Sequence, residues 1–488
     1  MIVTAMTIRG FGRFALLAAT LSLGSCNGEQ SGPIRVSAIG GPPQLLNPNL
    51  QPLDPPSAFL TEALAQGLVR FDGAGEIEPA LAQSWIVSDD GLRYTFRIRR
   101  ATWADGSPVT AQQVATRLRA ALSRASRNPF KPVLGAVDNI TPMTDFVLEI
   151  SLRGPRPNFL QLLAHPELAI VQNNGGTGPY RLARSEPAGL FLAFPRAEDE
   201  AEDVTEPALR LRGERTAAAV ARFAAGDTDL VLGGNAGDLA LARAADLPAA
   251  RLVFDPVGGL FGLAFASNQG PLADAALRRA LSMAIDRDGI AAAIGAPRQP
   301  GRISLVAPGV QELPNPALPD WAAMPLAERR DTAARLVAGL GATDRIHIRV
   351  ATPDAPGDRL LFAYLRRDWR MIGIEAERVA MGAPADLLLI DQVAPTNVAS
   401  WYLRHFTCDA SAICDAEADK ALQAARMAPV TADRQAQLAA ADRILTALVP
   451  FIPLTAPVRW SLVSPRLTGF RPNPFARHPA VTLIAEEP

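Results

Sequence analysis

The alternation of apolar and polar residues predicts a strand and a turn shortly before residue 110. Tyr94, Phe96 and Ile98 alternate with arginines and a threonine, which is typical of a strand with one buried face. The polar stretch that follows reads WADGSPVT, in which Asp105-Gly106 indicates a turn because glycine accepts positive φ without steric cost.

A capped helix is predicted directly after this turn. The hydroxyl of Thr110 can accept a hydrogen bond from the first helical turn, and Gln113 three residues later completes a capping box. Val114, Leu118 and Leu122 then recur at helical spacing, so one face of the helix is apolar. The segment is therefore predicted to be a strand, a turn and a helix, which defines its local structure only.

Strand-like and helix-like spacings of apolar residues alternate through the rest of the chain. Strands are predicted at IRVSAI, DFVLEISL, RIHIRVAT and ADLLLID. Helices are predicted at residues 58–70, in DAALRRALSMAIDRDGIAAAI with Asp274 as N-cap candidate, in AERRDTAARLVAGLG and in TADRQAQLAAADRILTAL. This alternation indicates an α/β or α+β protein.

Length and charge limit the number of lobes and the kinds of partner that we expect. A chain of 488 residues is too long for one core, so two or three lobes are expected. The 48 basic and 49 acidic side chains give a net charge of −1, and no long basic run is present. A nucleic-acid partner is therefore not expected.

The N-terminus has the pattern of an export signal. Arg9 and Arg13 precede an apolar run from Phe14 to Leu23, which is shorter than the roughly 20 residues that a membrane-spanning helix needs. The sequence LGSC that ends at Cys26 resembles the lipobox of bacterial lipoproteins. That resemblance implies a signal peptide at 1–26 and lipidation of Cys26, with an ordinary cleaved signal as the alternative.

Two further cysteines remain after Cys26. Cys408 and Cys414 form an even pair in a protein predicted to be exported, so a disulfide that closes a small loop is expected, with two free thiols as the alternative. Their spacing does not match a zinc site.

No catalytic motif is visible in the sequence. It contains no G-x-S-x-G elbow, no H-E-x-x-H and no G-x-x-x-x-G-K-[ST] loop. Of the four histidines, His165 and His347 are interpreted as structural, and His405 is the one that merits attention as a binding residue. We therefore expect a receptor rather than an enzyme, with no cofactor and no bare metal ion.

Six segments in the same order resemble the family 5 extracytoplasmic solute-binding proteins of ABC importers, the peptide-, dipeptide- and nickel-binding receptors. These segments are EALAQGLVRFDGAGEIEPALAQSWIVSDDGLRYTFRIRRATWADGSPVTAQQV, GTGPYRL, AAGDTDLVL, LRRALSMAIDRDGI, WRMIGIEAERV and VPFIPL. Each segment alone is weak evidence for the family, but six segments in this order behind an export signal are specific. Together they cover nearly the whole mature chain.

The resemblance implies an α/β, bilobal periplasmic-binding-protein clamshell (type II, large cluster) with an inserted third subdomain. Lobe I would comprise 30–44, 176–255 and 459–488, the inserted subdomain 45–175, and lobe II 256–458. Two strand crossings, LVFDPVGGLFGLAF and FIPLTAPVRWSL, would form the hinge.

The ligand site departs from the pattern of the peptide-binding members. These usually carry G-W-x-x-D-Y-x-x-P after the strand that corresponds to ADLLLID, and the Asp of that motif meets the amino terminus of the peptide. Pro395 keeps the place of the proline here, but the Trp and the aligned Asp are missing. Asp391 is the candidate substitute as partner of a cation, with a structural strand end as the alternative. The predicted ligand-contacting residues are Asp391, Gln392, Trp401, Tyr402, Arg404, His405, Leu46 and Asn47. For Trp401 and Tyr402 the alternative is that they pack a helix against the lobe.

The function that the resemblance implies is a lipid-anchored, periplasmic, monomeric receptor of an ABC importer. It would capture a peptide or a similar small organic nutrient and deliver it to a membrane permease. Two alternatives stay open: an envelope-anchored sensor or interaction protein of the same fold, and a receptor for a metal chelate held by His405 and Arg404.

Overall fold

Strands and helices alternate along the chain in a computed structural model that describes residues 32–103, 105–156, 158–172, 175–195, 207–341 and 345–484. The strands of these residues are β1 (Ile34–Ile39), β2 (Val69–Phe71), β3 (Ile77–Pro79), β4 (Ala82–Val87), β5 (Arg93–Ile98), β6 (Val137–Thr144), β7 (Val147–Leu152), β8 (Val171–Gln172), β9 (Gly175–Gly176), β10 (Arg181–Glu186), β11 (Gly189–Ala193), β12 (Leu209–Glu214), β13 (Leu230–Asn235), β14 (Leu252–Phe254), β15 (Gly259–Phe265), β16 (His347–Ala351), β17 (Glu375–Val379), β18 (Leu387–Val393), β19 (Phe451–Thr455) and β20 (Arg459–Val463). The α-helices are α1 (Pro55–Leu64), α2 (Ala111–Leu122), α3 (Lys131–Leu134), α4 (Phe159–Leu163), α5 (Thr216–Ala224), α6 (Leu239–Ala244), α7 (Ala275–Ala284), α8 (Arg287–Ile294), α9 (Leu326–Gly339), α10 (Pro356–Arg370), α11 (Ala399–Arg404), α12 (Ala416–Met427) and α13 (Thr431–Leu448).

Three larger sheets organise these elements. The first has seven strands in the order β10-β11-β12-β1-β13-β20-β14, and β1 runs parallel to both of its neighbours. The second has five strands in the order β17-β16-β18-β15-β19, and the third is the antiparallel sheet β4-β5-β7-β6. The mixed α/β class predicted from the sequence is thus confirmed.

The chain passes between the seven-stranded and five-stranded sheets at two places. One is the link from β14 to β15, and the other is the link from β19 to β20. Both links coincide with the segments predicted as strand crossings. Apolar residues of the two sheets form a continuous cluster here, which includes Val231 and Trp460 on one side and Leu263 and Leu389 on the other.

The strand, turn and helix that end in α2 have the predicted local structure. Gln113 N–H donates to Thr110 Oγ1 over 3.4 Å, and Thr110 N–H donates to Gln113 Oε1 over 3.0 Å, which completes the capping box. Trp103 Nε1 donates to the same Gln113 oxygen over 3.0 Å, so the helix start is tied to the preceding turn. Trp103 and the apolar face of α2 belong to the core of the third sheet, and none of these residues lines the ligand cavity described below.

Two predicted helices have different bounds in the structure. The helix expected at 58–70 ends at Leu64, and Gly67 lies so close to Leu163 that an added Cβ would stand 2.4 Å from its carbonyl oxygen. The long helix expected after Asp274 breaks into α7 and α8. Asp286 N–H donates to Asp368 Oδ2, and the Asp286 carboxylate caps α8, so tertiary contacts override the continuous apolar pattern.

The N-terminal predictions fall outside the described residues. These are the signal peptide at 1–26 and the lipidation of Cys26. Within the described part of the chain, no helix combines the length and apolar character required to cross a bilayer.

Candidate functional site

A cavity of about 550 Å³ lies beside the two crossings, with walls from both large sheets. The ends of β13 and β20 line it from the seven-stranded sheet, and β18 with α11 line it from the five-stranded sheet. Helix α1 closes a third side. Asp54 caps this helix and Pro55 opens it, which fixes the face that carries Phe59 and Glu62 toward the cavity.

Trp460 forms a flat part of this wall because of a neighbouring glycine. Gly234 lies on the adjacent strand, and an added Cβ there would stand 2.2 Å from the indole ring. Trp460 Nε1 donates to the carbonyl of Asn235 over 2.8 Å, which holds the ring in place.

Asp391 lines the cavity but is already paired with a cation of the protein. Arg459 Nη1 donates to Asp391 Oδ1 over 2.8 Å and to Oδ2 over 3.1 Å, and Arg459 Nη2 donates to the Asp391 carbonyl. The pair joins β18 of one sheet to β20 of the other. Asp391 thus lies at the cavity, where the sequence predicts it, and its carboxylate has a cationic partner within the protein.

His405 and Gln392 form a hydrogen-bonded part of the wall. His405 Nδ1 lies 2.9 Å from the carbonyl of Trp401, and its Nε2 lies 3.0 Å from Gln392 Oε1. Burial lowers the pKa of His405, which favours the neutral ring. The rings of Trp401 and His405 also meet edge to face at 4.6 Å.

Arg404 lies on the same wall and has no acidic partner among the described residues. Its Nη1 donates to the carbonyl of Pro132. Burial, together with the nearby charges of Arg426 and Arg156, lowers the pKa of Arg404 to about 10.

The structure does not bring all predicted site residues to the cavity. Tyr402 is 1% exposed and packs in the core beneath α11. Leu46 and Asn47 lie in the loop before α1, where Asn47 Oδ1 accepts a hydrogen bond from Asn49 N–H, and they do not line the cavity. Cys408 and Cys414 form a disulfide in the loop after α11.

The residues that the sequence interpretation missed form a polar cluster against α1. Arg477 donates to Glu167 over 2.8 Å. Burial opposes ionisation of Glu167, but the charges of Arg477 and His165 together with hydrogen bonds outweigh it and keep the pKa of Glu167 below its usual value. His165 Nε2 donates to the carbonyl of Pro395 over 2.9 Å, and burial lowers the pKa of His165 to about 4.

Glu62 is the acid of this cluster that has no hydrogen bond or ion pair to a described residue. Burial raises its pKa to about 7, with Glu167 adding to the rise and Arg477 opposing it. The only sequence signal for this residue is that it is the one charged residue of helix α1, since Glu167 and Arg477 lie more than one hundred positions away. Glu62, rather than Asp391, is thus the unpaired carboxylate of the cavity.

No group of three or more metal-ligating side chains is present in the described part of the chain. The cavity instead combines aromatic walls with charged groups, an arrangement that can bind an organic molecule through its polar ends.

Comparisons with known proteins agree with this architecture. The family model described as "Bacterial extracellular solute-binding proteins, family 5 Middle" matches residues 76–400. The periplasmic murein peptide-binding protein MppA of Escherichia coli is 28% identical over 313 residues, which are 56% of this chain and 58% of that protein. The nickel-binding periplasmic protein of Escherichia coli is 29% identical over 264 residues, which are 50% of this chain and 49% of that protein.

These alignments span only about half of the length of the curated relatives, whereas a structural match covers nearly all of the chain. The crystal structure of Haemophilus influenzae OppA in complex with RPPGFSPFR superposes with a TM-score of 0.80, covering 92% of this chain and 98% of that chain at 19% identity. This likeness shows that the fold is that of the OppA-type clamshell. The chain therefore belongs to the family 5 bacterial extracellular solute-binding proteins.

Proposed function

We propose that the protein is an extracytoplasmic receptor that captures a small organic solute, such as a peptide, and presents it to an ABC permease. The observation that carries this proposal is the cavity of about 550 Å³, whose charged and aromatic groups come from both large sheets. Its volume falls in the range of about 300–1,000 Å³ that is typical of pockets for small molecules.

Capture requires no chemical step. A ligand that contacts both walls stabilises the closed arrangement more than the open one, so binding shifts the population toward closure. The Arg459–Asp391 ion pair joins the same two walls. Formation of this ion pair is therefore coupled to closure of the walls. The permease would recognise the closed, loaded form.

The charges of the cavity favour a ligand that carries an amine and an acid. Glu62 offers an unpaired carboxylate on one side, and Arg404 offers a guanidinium without an acidic partner on the other. A peptide or another zwitterion has both complementary groups. Because Asp391 is neutralised by Arg459, we propose that Glu62 takes the place of the acid that other members use.

We also propose the lobe boundaries 30–44, 176–255 and 459–488 for lobe I, 45–175 for the inserted subdomain and 256–458 for lobe II. The membership of the strands in the three larger sheets supports this division. The export pattern and LGSC support an extracytoplasmic protein that is anchored to a bacterial membrane through Cys26. We also propose that it acts as a monomer.

A receptor for a metal chelate is the second candidate function. The similarity to a nickel-binding protein and the position of His405 beside Arg404 favour it. The close protein neighbour of each ring nitrogen of His405 weighs against it, because a ring nitrogen that binds a metal must first lose that contact.

The proposal is tested by mass spectrometry of small molecules released from the purified protein, followed by thermal shift with the compounds identified and a panel of peptides. A ligand at 100 times its Kd stabilises the folded protein by about 2.7 kcal/mol. Gln392→Trp, at an exposed position of the cavity wall, should abolish the shift, and Glu377→Trp on the exposed edge strand β17 should preserve it. The proposal would be contradicted if the purified protein released no small molecule and no compound of the panel changed its melting temperature.

A further inference from the structure

A second, smaller cavity of about 50 Å³ lies next to the ligand cavity, and arginines surround it. Residues of 133–162 form one side, and the helices α11, α12 and α13 form the other. Its arginines are Arg156, Arg404, Arg426 and Arg434. Arg404 lines both cavities, so the two sites share a wall.

These arginines reach across the boundary between the two sides and donate to backbone carbonyls. Arg434 Nη1 donates to the carbonyl of Pro155 over 3.0 Å, and Arg156 Nη2 donates to the carbonyl of Arg426 over 3.0 Å. Arg426 donates to the carbonyl of Gly135. The guanidinium groups are thereby held close together, although each of them carries a positive charge.

Among the described residues that line the small cavity, positive charges outnumber negative charges. Glu312 is the one carboxylate among the lining residues, and it lies 3.4 Å from Arg434 Nη1. Burial, followed by the charges of Arg434 and other arginines, lowers the pKa of Arg156 to about 10. Four guanidinium groups beside one carboxylate leave an excess of positive charge among the described residues that line the cavity.

One buried donor has no acceptor. Arg434 is 4% exposed, and its Nε atom lies out of contact with water and without a hydrogen-bond partner among the described residues. A buried donor without a partner costs roughly 1–3 kcal/mol, more when the group is charged. The unpartnered Nε atom and the excess of positive charge are separate observations. Both indicate an anionic ligand that accepts hydrogen bonds.

We propose that the small cavity is an anion site, which binds a carboxylate-sized anion between Arg434, Arg156 and Arg404. Guanidinium groups bind carboxylates and other oxyanions through charge-assisted hydrogen bonds, and Arg434, whose Nε lacks an acceptor among the described residues, is one of the residues that line the cavity. A volume of about 50 Å³ suits a group of this size and excludes a larger ligand.

The anion has two chemical sources. It is either a free small anion from solution or the carboxylate of the captured solute, which reaches the site past Arg404. In both cases the anion joins residues on two sides of the boundary, so it binds best when the two sides are in contact. The existence of the site does not depend on the identity of the solute.

The experiment measures the melting temperature of the protein in sodium formate against sodium gluconate at constant ionic strength, because gluconate is too bulky for the cavity. We expect formate at about ten times its Kd to raise the melting temperature by about 1–3 °C relative to gluconate. Arg434→Met should lose this difference. Arg443→Met, at an exposed position of the same helix α13, should retain it.

The lack of a difference between formate and gluconate in wild-type protein stripped of solute would overturn the inference, and so would an unchanged difference in stripped Arg434→Met. Since the readout is a difference between two salts, a lower overall stability of Arg434→Met does not obscure it. A bromide peak beside Arg434 in soaked crystals would support the site independently, and clear density elsewhere only would count against it.

The same titration on protein as purified and on protein stripped of solute separates the two sources. A formate response that appears only after stripping identifies the solute carboxylate as the native occupant. An equal response in both preparations identifies a free anion. If no solute is found and no compound of the panel changes the melting temperature, but formate still stabilises the protein, the receptor proposal fails while the anion site stands.

Discussion

Asp358 provides a test of the reasoning about buried charge at the boundary between the two large sheets. It lies in the first turn of α10, is 6% exposed, and its Oδ2 contacts the loop at Gly237 that follows β13. Burial raises its pKa to about 7, and the charges of Asp391 and Asp238 add to the rise. Arg378 and a backbone hydrogen bond at Ala355 oppose the rise without cancelling it.

The sign of the effect on stability follows from this raised pKa. Below about pH 4 the carboxyl is protonated in both the folded and the unfolded chain, so it carries no penalty. As the pH rises toward 7, the unfolded chain releases the proton while the folded protein retains it, and the free energy of unfolding falls. Each pH unit costs about 1.36 kcal/mol, so the interval from about 4 to 7 gives an upper limit of about 4 kcal/mol.

The variant Asp358→Asn keeps the shape of the protonated side chain and removes its titration. We expect it to raise the free energy of unfolding by about 2–4 kcal/mol at pH 8 and by less than about 0.5 kcal/mol at pH 4. Calorimetric melting at pH 4, 6 and 8 measures the effect, with Asp433→Asn, an exposed acid in the first turn of α13, as the matched control. An equal gain at all three pH values, or a loss at pH 8, would refute the reasoning.

Four further changes test other parts of the structure. Gly213→Ala should lower the free energy of unfolding by about 3 kcal/mol or prevent folding, as judged by circular dichroism, because its Cβ would stand 1.7 Å from a backbone carbonyl oxygen. Thr110→Ala should lower it by about 1 kcal/mol in thermal melting through loss of the capping box, and Thr110→Ser should restore most of it. The double change Cys408→Ser and Cys414→Ser should cost about 2 kcal/mol relative to the oxidised protein, and a reductant should then have no further effect. The affinity for an amine-bearing ligand should fall about tenfold per pH unit below pH 7 in calorimetric titration, because a protonated Glu62 cannot pair with the amine, and Glu62→Gln should remove this slope.

The sequence predicts much of the fold because local chemistry decides it. The alternating apolar residues around Tyr94 form β5, and the cap at Thr110 begins α2. Asp274 caps α7 as expected. The break at Asp286 escapes such reasoning, since the acceptor for its N–H is Asp368, 82 positions later.

The candidate site is harder to predict because distant residues set its charge. Asp391 lies where the sequence suggests a vacant acid, but Arg459 comes from another sheet and neutralises it. Glu62 looks like an ordinary helix residue until Arg477 and Glu167 are placed beside it. The family pattern locates the cavity, whereas only the structure shows which of its charges are unpaired.

Small-angle X-ray scattering of the stripped protein, with and without the solute recovered from it, tests the central claim most directly. The account predicts a smaller radius of gyration on loading, since the two walls of the cavity close on the ligand. A scattering curve that does not change at a ligand concentration shown by calorimetry to saturate the protein would contradict it.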